Sequence, residues 1–493
     1  MNRTRAAFYS FLWVGGGVVA ANVFGYLLRI LLARNLTVEE YGLVYAIMAV
    51  FGLLSVFAHW GLAEALTREV ALARAVASAR LKEVVLWVAF VLYASAAIIL
   101  ALAMWFAPLL AEHYFHSSSA AIPFTVYTIS FLLSSIVYII PSLLMGAHRS
   151  NLYTLFIVTQ SGLLLLGAWL LLAYGVTGVM LAYVITMVTL HILFIPLLGR
   201  VLPGFWRARA HLRVKTAKRL FAYGIPVMLT GVAWVILSAS DTALLTYFSS
   251  LAEVGRYQVA LPTANLLLFL TPVIVTVLLP LLTHVWQDRK RALLSRSIQD
   301  LHAYVFLCII PIAVAVATYP DILLNLLFGA QYVSAAPILR LLVVSALFIT
   351  LNSVTAAAFS AIGKPKESTR AVAVGAVANL ILNILLIPRL GGVGAAIATV
   401  CSAILIFSLG LRALRRHLAV RLPWRRWCGG LAAGFVFAAV LALMRSFPYL
   451  GQYPKIALAV LLGGLSYALV LFATRTVSMA ELRDLWQRIA GRS

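Results

Sequence analysis

Apolar runs long enough to cross a bilayer recur along almost the whole chain, and nothing else constrains its fold as strongly. A helix needs about 20 apolar residues to traverse about 30 Å of hydrocarbon. By that measure fourteen spans are predicted, over residues 8–32, 42–66, 84–111, 121–145, 152–174, 177–199, 220–248, 257–283, 299–320, 336–361, 371–388, 391–411, 427–444 and 456–473. With 63% of residues hydrophobic and 11% charged, the apolar side chains exceed what one water-bounded core holds, so lipid is the expected solvent. The expected fold class is an all-α integral membrane protein. The start Met1-Asn2-Arg3-Thr4-Arg5 imitates a signal peptide, but the run after it is too long and lacks a small-residue cleavage site, so it reads as the first span. Cys308, Cys401 and Cys428 fall in or beside apolar runs at unrelated spacings and read as inert apolar fillers rather than a zinc or redox motif.

A net charge of +24 suggests nucleic acid in a water-soluble chain, yet here the basic residues sit in short loops. If the amino terminus is cytoplasmic, 31 of the 38 lysines and arginines fall on that side, leaving Arg29, Arg34, Arg256, Arg340, Arg389, Arg445 and Lys455. The positive-inside rule therefore predicts that both termini are cytoplasmic. The run 207–215 reads as a topology and headgroup anchor, and no nucleic-acid partner is expected.

A polar turn, Leu31-Leu32-Ala33-Arg34-Asn35-Leu36-Thr37-Val38-Glu39-Glu40-Tyr41-Gly42, closes the first span and opens the second. Leu244-Leu245-Thr246-Tyr247-Phe248-Ser249-Ser250-Leu251-Ala252-Glu253-Val254-Gly255 repeats its two leucines, its acid and its glycine at an offset of 213 residues. Met145-Gly146-Ala147-His148-Arg149 resembles Ile362-Gly363-Lys364-Pro365-Lys366 at 217, and Gly175-Val176-Thr177-Gly178-Val179 matches Gly391-Gly392-Val393-Gly394-Ala395 at 216. Three concordant offsets predict a duplication into two parallel six-helix repeats followed by two extra helices. The expected organisation is a lobe over 1–199, a basic cytoplasmic linker over 200–219, a second lobe over 220–411, a basic loop over 412–426, and two helices with a cytoplasmic tail over 427–493.

The chain has no P-loop, no His-Glu-x-x-His, no Gly-x-Ser-x-Gly and no clustered metal ligands, so neither an enzyme nor a cofactor is expected. What remains are polar residues inside apolar spans, which are costly there and are therefore candidate sites. Asn22 and Arg29 share a face of helix 1, with Arg34 about a turn beyond Arg29; such a stripe suits an anionic headgroup, and snorkelling to the interface is the competing role. Asp241, which the repeat pairs with Leu28, either couples a proton or sodium ion or holds an arginine. Arg340 and Arg256 either extend a basic lining or snorkel.

Glu64 either couples an ion or pairs with Arg68 four residues on. His59 either relays a proton or packs, as does His191. Asn265, Asn352, Asn379 and Asn383 either meet sugar hydroxyls or hydrogen-bond between helices. Pro226, Pro262, Pro272, Pro280 and Pro311 concentrate helix breakers in the second repeat, and Gly15-Gly16-Gly17 predicts close helix approach.

The turn 32–42, Tyr223-Gly224-Ile225-Pro226, Asp241, and the segment Asn383-Ile384-Leu385-Leu386-Ile387-Pro388-Arg389-Leu390-Gly391-Gly392-Val393-Gly394-Ala395-Ala396-Ile397-Ala398 together resemble the polysaccharide-transporter family. These are the O-antigen and exopolysaccharide flippases of the multidrug/oligosaccharidyl-lipid/polysaccharide superfamily, and the likeness runs over nearly the whole chain. The resemblance implies a V-shaped pair of six-helix lobes around a cationic cavity. It implies translocation of an undecaprenyl-pyrophosphate-linked oligosaccharide from the cytoplasmic to the outer leaflet of a bacterial inner membrane, with polysaccharide polymerase or ligase machinery as a partner. Arg29 and Arg34, then Arg340, are the positions it carries over, and it reads Gly42 and Pro388-Arg389 as helix-end chemistry. The competing readings are a cation-coupled multidrug antiporter, a lipid II flippase, and a non-transporting scaffold for glycosyltransferases.

Overall fold

The computed structural model describes residues 3–72, 78–202, 204–446 and 452–477. Expectations that rest on Arg74 and on the tail arginines Arg483, Arg488 and Arg492 lie outside the described residues. Among those described, every regular element is helical. The chain runs through α1 (Arg3–Asn35), α2 (Val38–His59), α3 (Leu62–Leu72), α4 (Ser78–His113), α5 (Ala121–Leu133), α6 (Ser135–Gly146), α7 (Ser150–Leu171), α8 (Gly175–Phe194), α9 (Leu198–Val201) and α10 (Val214–Phe248). It continues through α11 (Leu251–Asn265), α12 (Leu270–Gln287), α13 (Arg291–Thr318), α14 (Pro320–Phe328), α15 (Ala336–Ala361), α16 (Pro365–Arg415), α17 (Trp424–Arg445) and α18 (Gln452–Ala473). Two compact units form, Met1–Gln258 and Val259–Ser493, so α10 and the first half of α11 belong to the first.

Among the described residues eleven stretches are long and apolar enough to cross a membrane. Two of them, Ser150–Phe194 with 45 residues and Pro365–Arg415 with 51, extend about 68 and 77 Å at 1.5 Å per residue, enough for two crossings each. Each turns at a glycine with positive φ, Gly175 (φ 59°, ψ −140°) and Gly391 (φ 53°, ψ −134°), where a Cβ is strained. Three residues further on, a Cβ on Gly178 would lie 1.9 Å from the Leu171 carbonyl oxygen, and one on Gly394 2.6 Å from that of Leu386. Glycines matched in sequence at an offset of 216 thus do the same two jobs in the two repeats.

Three predicted spans are interrupted. The span 42–66 breaks between α2 and α3, where Trp60 (φ 51°) and Gly61 (φ 66°) turn left-handed. The backbone of α10 crosses there: a Cβ on Gly61 would meet the Gly224 carbonyl oxygen at 2.2 Å, and one on Gly224 would meet that of Trp60 at 2.5 Å. The span 121–145 divides at Ser134, whose Oγ donates to the Phe131 carbonyl at 2.6 Å. In the span 257–283, Leu266–Phe269 tightens to a 3₁₀ turn shortly after Pro262. Pro226 and Pro311 lie inside the continuous helices α10 and α13, and Pro272 and Pro280 inside α12, so these prolines do not interrupt their helices.

The core of the first unit gathers Leu62 and Leu66 of α3, Val88 of α4, Leu143 of α6, Phe156 of α7 and Leu190 of α8. A ring cluster joins α2 to α5, with Phe51 5.2 Å from Phe124 and 5.0 Å from Phe131. Of the glycine triplet in α1 only Gly17 is closely packed, a Cβ there lying 2.3 Å from Thr154 Cγ2 of α7.

In the second unit α17 lies on α13 through Gly430 and Gly434, and α18 lies on α17 through Gly463, the small-residue contacts by which helices associate in lipid. Large apolar side chains point outward, among them Trp105, Phe435 and Leu469, as a lipid-facing surface requires. The three cysteines are also exposed, so they decorate that surface rather than fill the core.

Candidate binding site around Arg29

The repeated turn is a helix-capping device. Thr37 Oγ1 accepts the Glu40 N–H at 3.2 Å and Glu40 Oε2 accepts the Thr37 N–H at 2.9 Å, a reciprocal box that starts α2. At the same spacing Ser250 Oγ accepts the Glu253 N–H at 3.3 Å to start α11, and Glu253 pairs with Arg256 one turn on. That pair engages the Arg256 guanidinium.

Gly42 lies within α2 rather than at a helix end. A Cβ on it would fall 1.8 Å from the Leu251 carbonyl oxygen, and a Cβ on Gly255 would fall 2.3 Å from that of Val38. Because the offset of 213 carries Val38 onto Leu251 and Gly42 onto Gly255, the two contacts are one contact exchanged: the duplicated turns pack on each other about a local two-fold axis.

The same offset carries Arg29 onto Thr242 and Tyr45 onto Gln258, and these four side chains form a cluster inside the first unit. The Arg29 guanidinium lies 4.5 Å from the centre of the Tyr45 ring. Its Nη1 donates to the Gln258 carbonyl oxygen and to Gln258 Oε1, both at 3.4 Å. These two bonds are longer than the usual 2.7–3.2 Å. Gln258 Nε2 in turn donates to Thr242 Oγ1 at 2.6 Å, and Tyr41 Oη donates to the Gln258 carbonyl at 3.4 Å. Tyr41, Tyr45, Thr242 and Gln258 are all buried. Asp241, also buried, accepts from Tyr257 Oη at 2.5 Å.

The other predicted residues lie apart from this cluster, several with partners of their own. Asn22 and Arg34 are exposed on α1, the latter in the last turn, where a cation complements the helix dipole. His59 ends α2 and stacks on Tyr138, ring centres 3.5 Å apart. Glu64 is exposed in the first turn of α3. Its expected partner Arg68 instead stacks over the Tyr223 ring at 4.8 Å, and it is Glu69 that forms the ion pair, with Arg219 at 3.0 Å.

His191 Nδ1 donates to the Met187 carbonyl at 2.7 Å, leaving Nε2 to accept from Tyr93 Oη at 2.5 Å, a packed histidine with both nitrogens used. In the second unit Arg340 Nε donates to the Ala317 carbonyl at 3.1 Å, and Asn265 is exposed at the end of α11. Asn352 is half-buried with Oδ1 beside Gly410. Asn383 Nδ2 donates to Asn379 Oδ1 at 3.1 Å, and both amides are buried between the limbs of α16.

The profile of the family described as polysaccharide biosynthesis protein matches residues 9–286, more than half of the chain. The chain belongs to that family. The resemblance to the polysaccharide flippases of the multidrug/oligosaccharidyl-lipid/polysaccharide superfamily is thereby borne out, and the MatE profile of the same superfamily also matches, over residues 226–385. An uncharacterized membrane protein of Methanocaldococcus jannaschii is 27% identical over 489 residues, 95% of each chain. The probable low-salt glycan biosynthesis flippase Agl15 of Haloferax volcanii is 21% identical over 273 residues, 55% of this chain and 57% of its own length. Among solved structures, that of the lipid II flippase MurJ in an inward closed conformation superposes with a TM-score of 0.76 at 16% identity, over 93% of this chain and 98% of that one, so the fold is shared.

In this polysaccharide biosynthesis protein, reading residues one span at a time missed Tyr45, Thr242, Tyr257 and Gln258. The signal was available, since projecting Arg29 and Tyr45 through the repeat offset lands on Thr242 and Gln258. His302 was also passed over. Its Nδ1 donates to the Ile298 carbonyl at 2.8 Å and its Nε2 accepts from Thr355 Oγ1 at 3.1 Å, which makes it a second fully satisfied core histidine.

Proposed function

We propose that the protein is a flippase that carries a polyprenyl-pyrophosphate-linked oligosaccharide across the membrane by alternating access, and is not an enzyme. In a bacterial inner membrane with both termini cytoplasmic, the cargo is an undecaprenyl carrier moving from the cytoplasmic to the outer leaflet; an archaeal membrane would supply its own polyprenyl carrier. The observation that carries this reading is that, among the described residues, the groups found against Arg29 are neutral: the Tyr45 ring, the Tyr41 hydroxyl, the Gln258 amide and the Gln258 carbonyl. A guanidinium inside a membrane protein with neutral partners is a cation that an anionic headgroup neutralises, and its forked donors match pyrophosphate oxygens. Arg34, exposed about a turn beyond, extends the positive potential.

Transport of this cargo has a driving force without ATP. Moving a negative charge outward from a negative interior gains about 2.3 kcal/mol per charge per 100 mV, and consumption of the product by polymerase or ligase machinery adds to the bias. Membership of a polysaccharide biosynthesis family and the name of the Haloferax relative support the same cargo class. The test is reconstitution into liposomes with a fluorescent polyprenyl-pyrophosphate saccharide and an impermeant quencher. Leaflet exchange that Arg29→Ala slows about tenfold or more, equivalent to about 1.4 kcal/mol, is expected; exchange equal in both proteins rejects the site.

The MatE match covers Asp241, a buried membrane carboxylate, and this favours one second reading, a cation-coupled antiporter. That reading requires proton- or sodium-driven movement of organic cations lost in Asp241→Asn, with Glu64→Gln as the comparison. Arg29 and Arg34 in the same unit argue for the anionic cargo.

A further inference from the structure

At the opposite end of α10 from the Arg29 cluster lies a cavity of about 250 Å³, lined by Arg68, Glu69 and Leu72 of α3, Arg80, Leu81 and Val84 of α4, and Arg219 of α10. The offset of 23 residues from Arg219 to Thr242 separates the two sites by about 35 Å along that helix, roughly a bilayer thickness. The cavity opens where α3 ends and α4 and α10 begin, and the ends of membrane-spanning helices lie at the level of lipid headgroups. Three guanidinium groups meet there and one acid answers them. Glu69 pairs with Arg219 at 3.0 Å, with its side chain 12% exposed. Arg68 is turned onto the Tyr223 ring, an interaction that leaves its charge un-neutralised.

The neighbouring basic and acidic residues are committed elsewhere. Lys82 Nζ donates to the Trp206 and Ala208 carbonyls at 3.2 and 2.9 Å, and Glu83 Oε1 accepts the Arg213 N–H at 2.9 Å, which ties the segment after α9 to α4. Among the described residues no carboxylate pairs with Arg68 or Arg80. Two like charges are therefore held beside one concavity with no acid among the described residues to neutralise them, and an incoming oxyanion removes that repulsion.

We propose that this cavity binds the phosphoryl group of an anionic membrane lipid. Guanidinium forks match phosphoryl oxygens two at a time. The volume lies below the roughly 300–1,000 Å³ typical of sites for drug-sized molecules, which fits a headgroup rather than a whole nucleotide sugar. Leu72, Leu81 and Val84 supply an apolar wall against which the carbons next to the phosphate can lie. The site is separate from the one assigned to cargo, so its occupant tunes or anchors the first unit rather than being carried through it.

The test uses purified full-length protein in phosphatidylcholine nanodiscs doped with phosphatidylglycerol, with retained lipid read by native mass spectrometry and inorganic pyrophosphate as the soluble competitor. The protein is expected to retain phosphatidylglycerol over phosphatidylcholine, and Arg68→Gln and Arg80→Gln are each expected to lower that preference about fivefold, with Arg80→Lys staying within about twofold. Arg29→Ala is expected to leave the preference intact, so failure of the transport reading does not touch this one. An unchanged preference in both glutamine variants overturns the proposal. Displacement of the retained lipid by inorganic pyrophosphate is expected, because both present phosphoryl oxygens to the same guanidinium groups; pyrophosphate binding with no lipid retained overturns the proposal and makes the occupant a soluble phosphate. Should the glutamine variants elute as aggregates, equal retention of phosphatidylglycerol and phosphatidylcholine by the wild-type protein overturns it equally.

Discussion

Arg29 and Arg340 are both membrane arginines near the ends of their spans, yet their surroundings make them different objects. Arg340 donates through Nε to the Ala317 carbonyl near the carboxyl end of α13, and Arg445 joins it there, donating to the Thr318 carbonyl at 3.1 Å and pairing with Asp321 at 2.6 Å. Those cations satisfy orphan carbonyls and complement a helix dipole. Arg29 donates to no carbonyl at a helix end, touches a ring and an amide, and sits among buried polar side chains brought in from α2, α10 and α11. Residue type and depth do not separate an anchor from a site; the partners do.

The sharpest way to break this contrast is to remove what assembles the Arg29 cluster. The glycine exchange between α2 and α11 sets how near Tyr45 and Gln258 come to Arg29. Gly42→Ala should therefore cost about 3 kcal/mol by forcing a Cβ into the Leu251 carbonyl, seen as a lowered thermal midpoint together with lost transport. Gly15→Ala and Gly16→Ala, with nothing within 4 Å, should leave the midpoint unchanged.

Next in size, Arg29→Ala should lower leaflet exchange at least about tenfold, while Arg340→Ala stays within about twofold, measured in the same vesicles. Gln258→Leu should cost about 1–3 kcal/mol in stability, because it strands the Thr242 hydroxyl in a buried position. Smallest of all, Arg445→Ala should cost at most about 1 kcal/mol, since its pair with Asp321 is partly exposed, and should not alter transport. An Arg340→Ala effect equal to that of Arg29→Ala would erase the distinction.

Local chemistry was legible in the sequence and crossing chemistry was not. The turn repeat could be read because a capping box and a nearby glycine are fixed by neighbours along the chain, and Gly175 and Gly391 declared their bends in the same way. Gly42 was misread as helix-end chemistry because its cause, the Leu251 carbonyl, is two hundred residues away. The break at Trp60-Gly61 was invisible for a similar reason, since it exists to let the backbone at Gly224 pass. Arg29 was found as an isolated cost inside a span, but Gln258 and Thr242 look like ordinary polar residues until the repeat offset superposes them on Tyr45 and Arg29. Arg68 shows the limit of helical spacing rules: Glu64 stands four residues before it, yet the ring of Tyr223 on another helix takes its guanidinium.

The most direct test of the Arg29 assignment is binding of undecaprenyl pyrophosphate, against the monophosphate, to purified protein in nanodiscs for the wild type, Arg29→Ala and Arg340→Ala. The account predicts a preference for pyrophosphate that weakens by more than about tenfold, or about 1.4 kcal/mol, in Arg29→Ala and hardly changes in Arg340→Ala. Equal binding by all three proteins would contradict it and return Arg29 to the same structural class as Arg340.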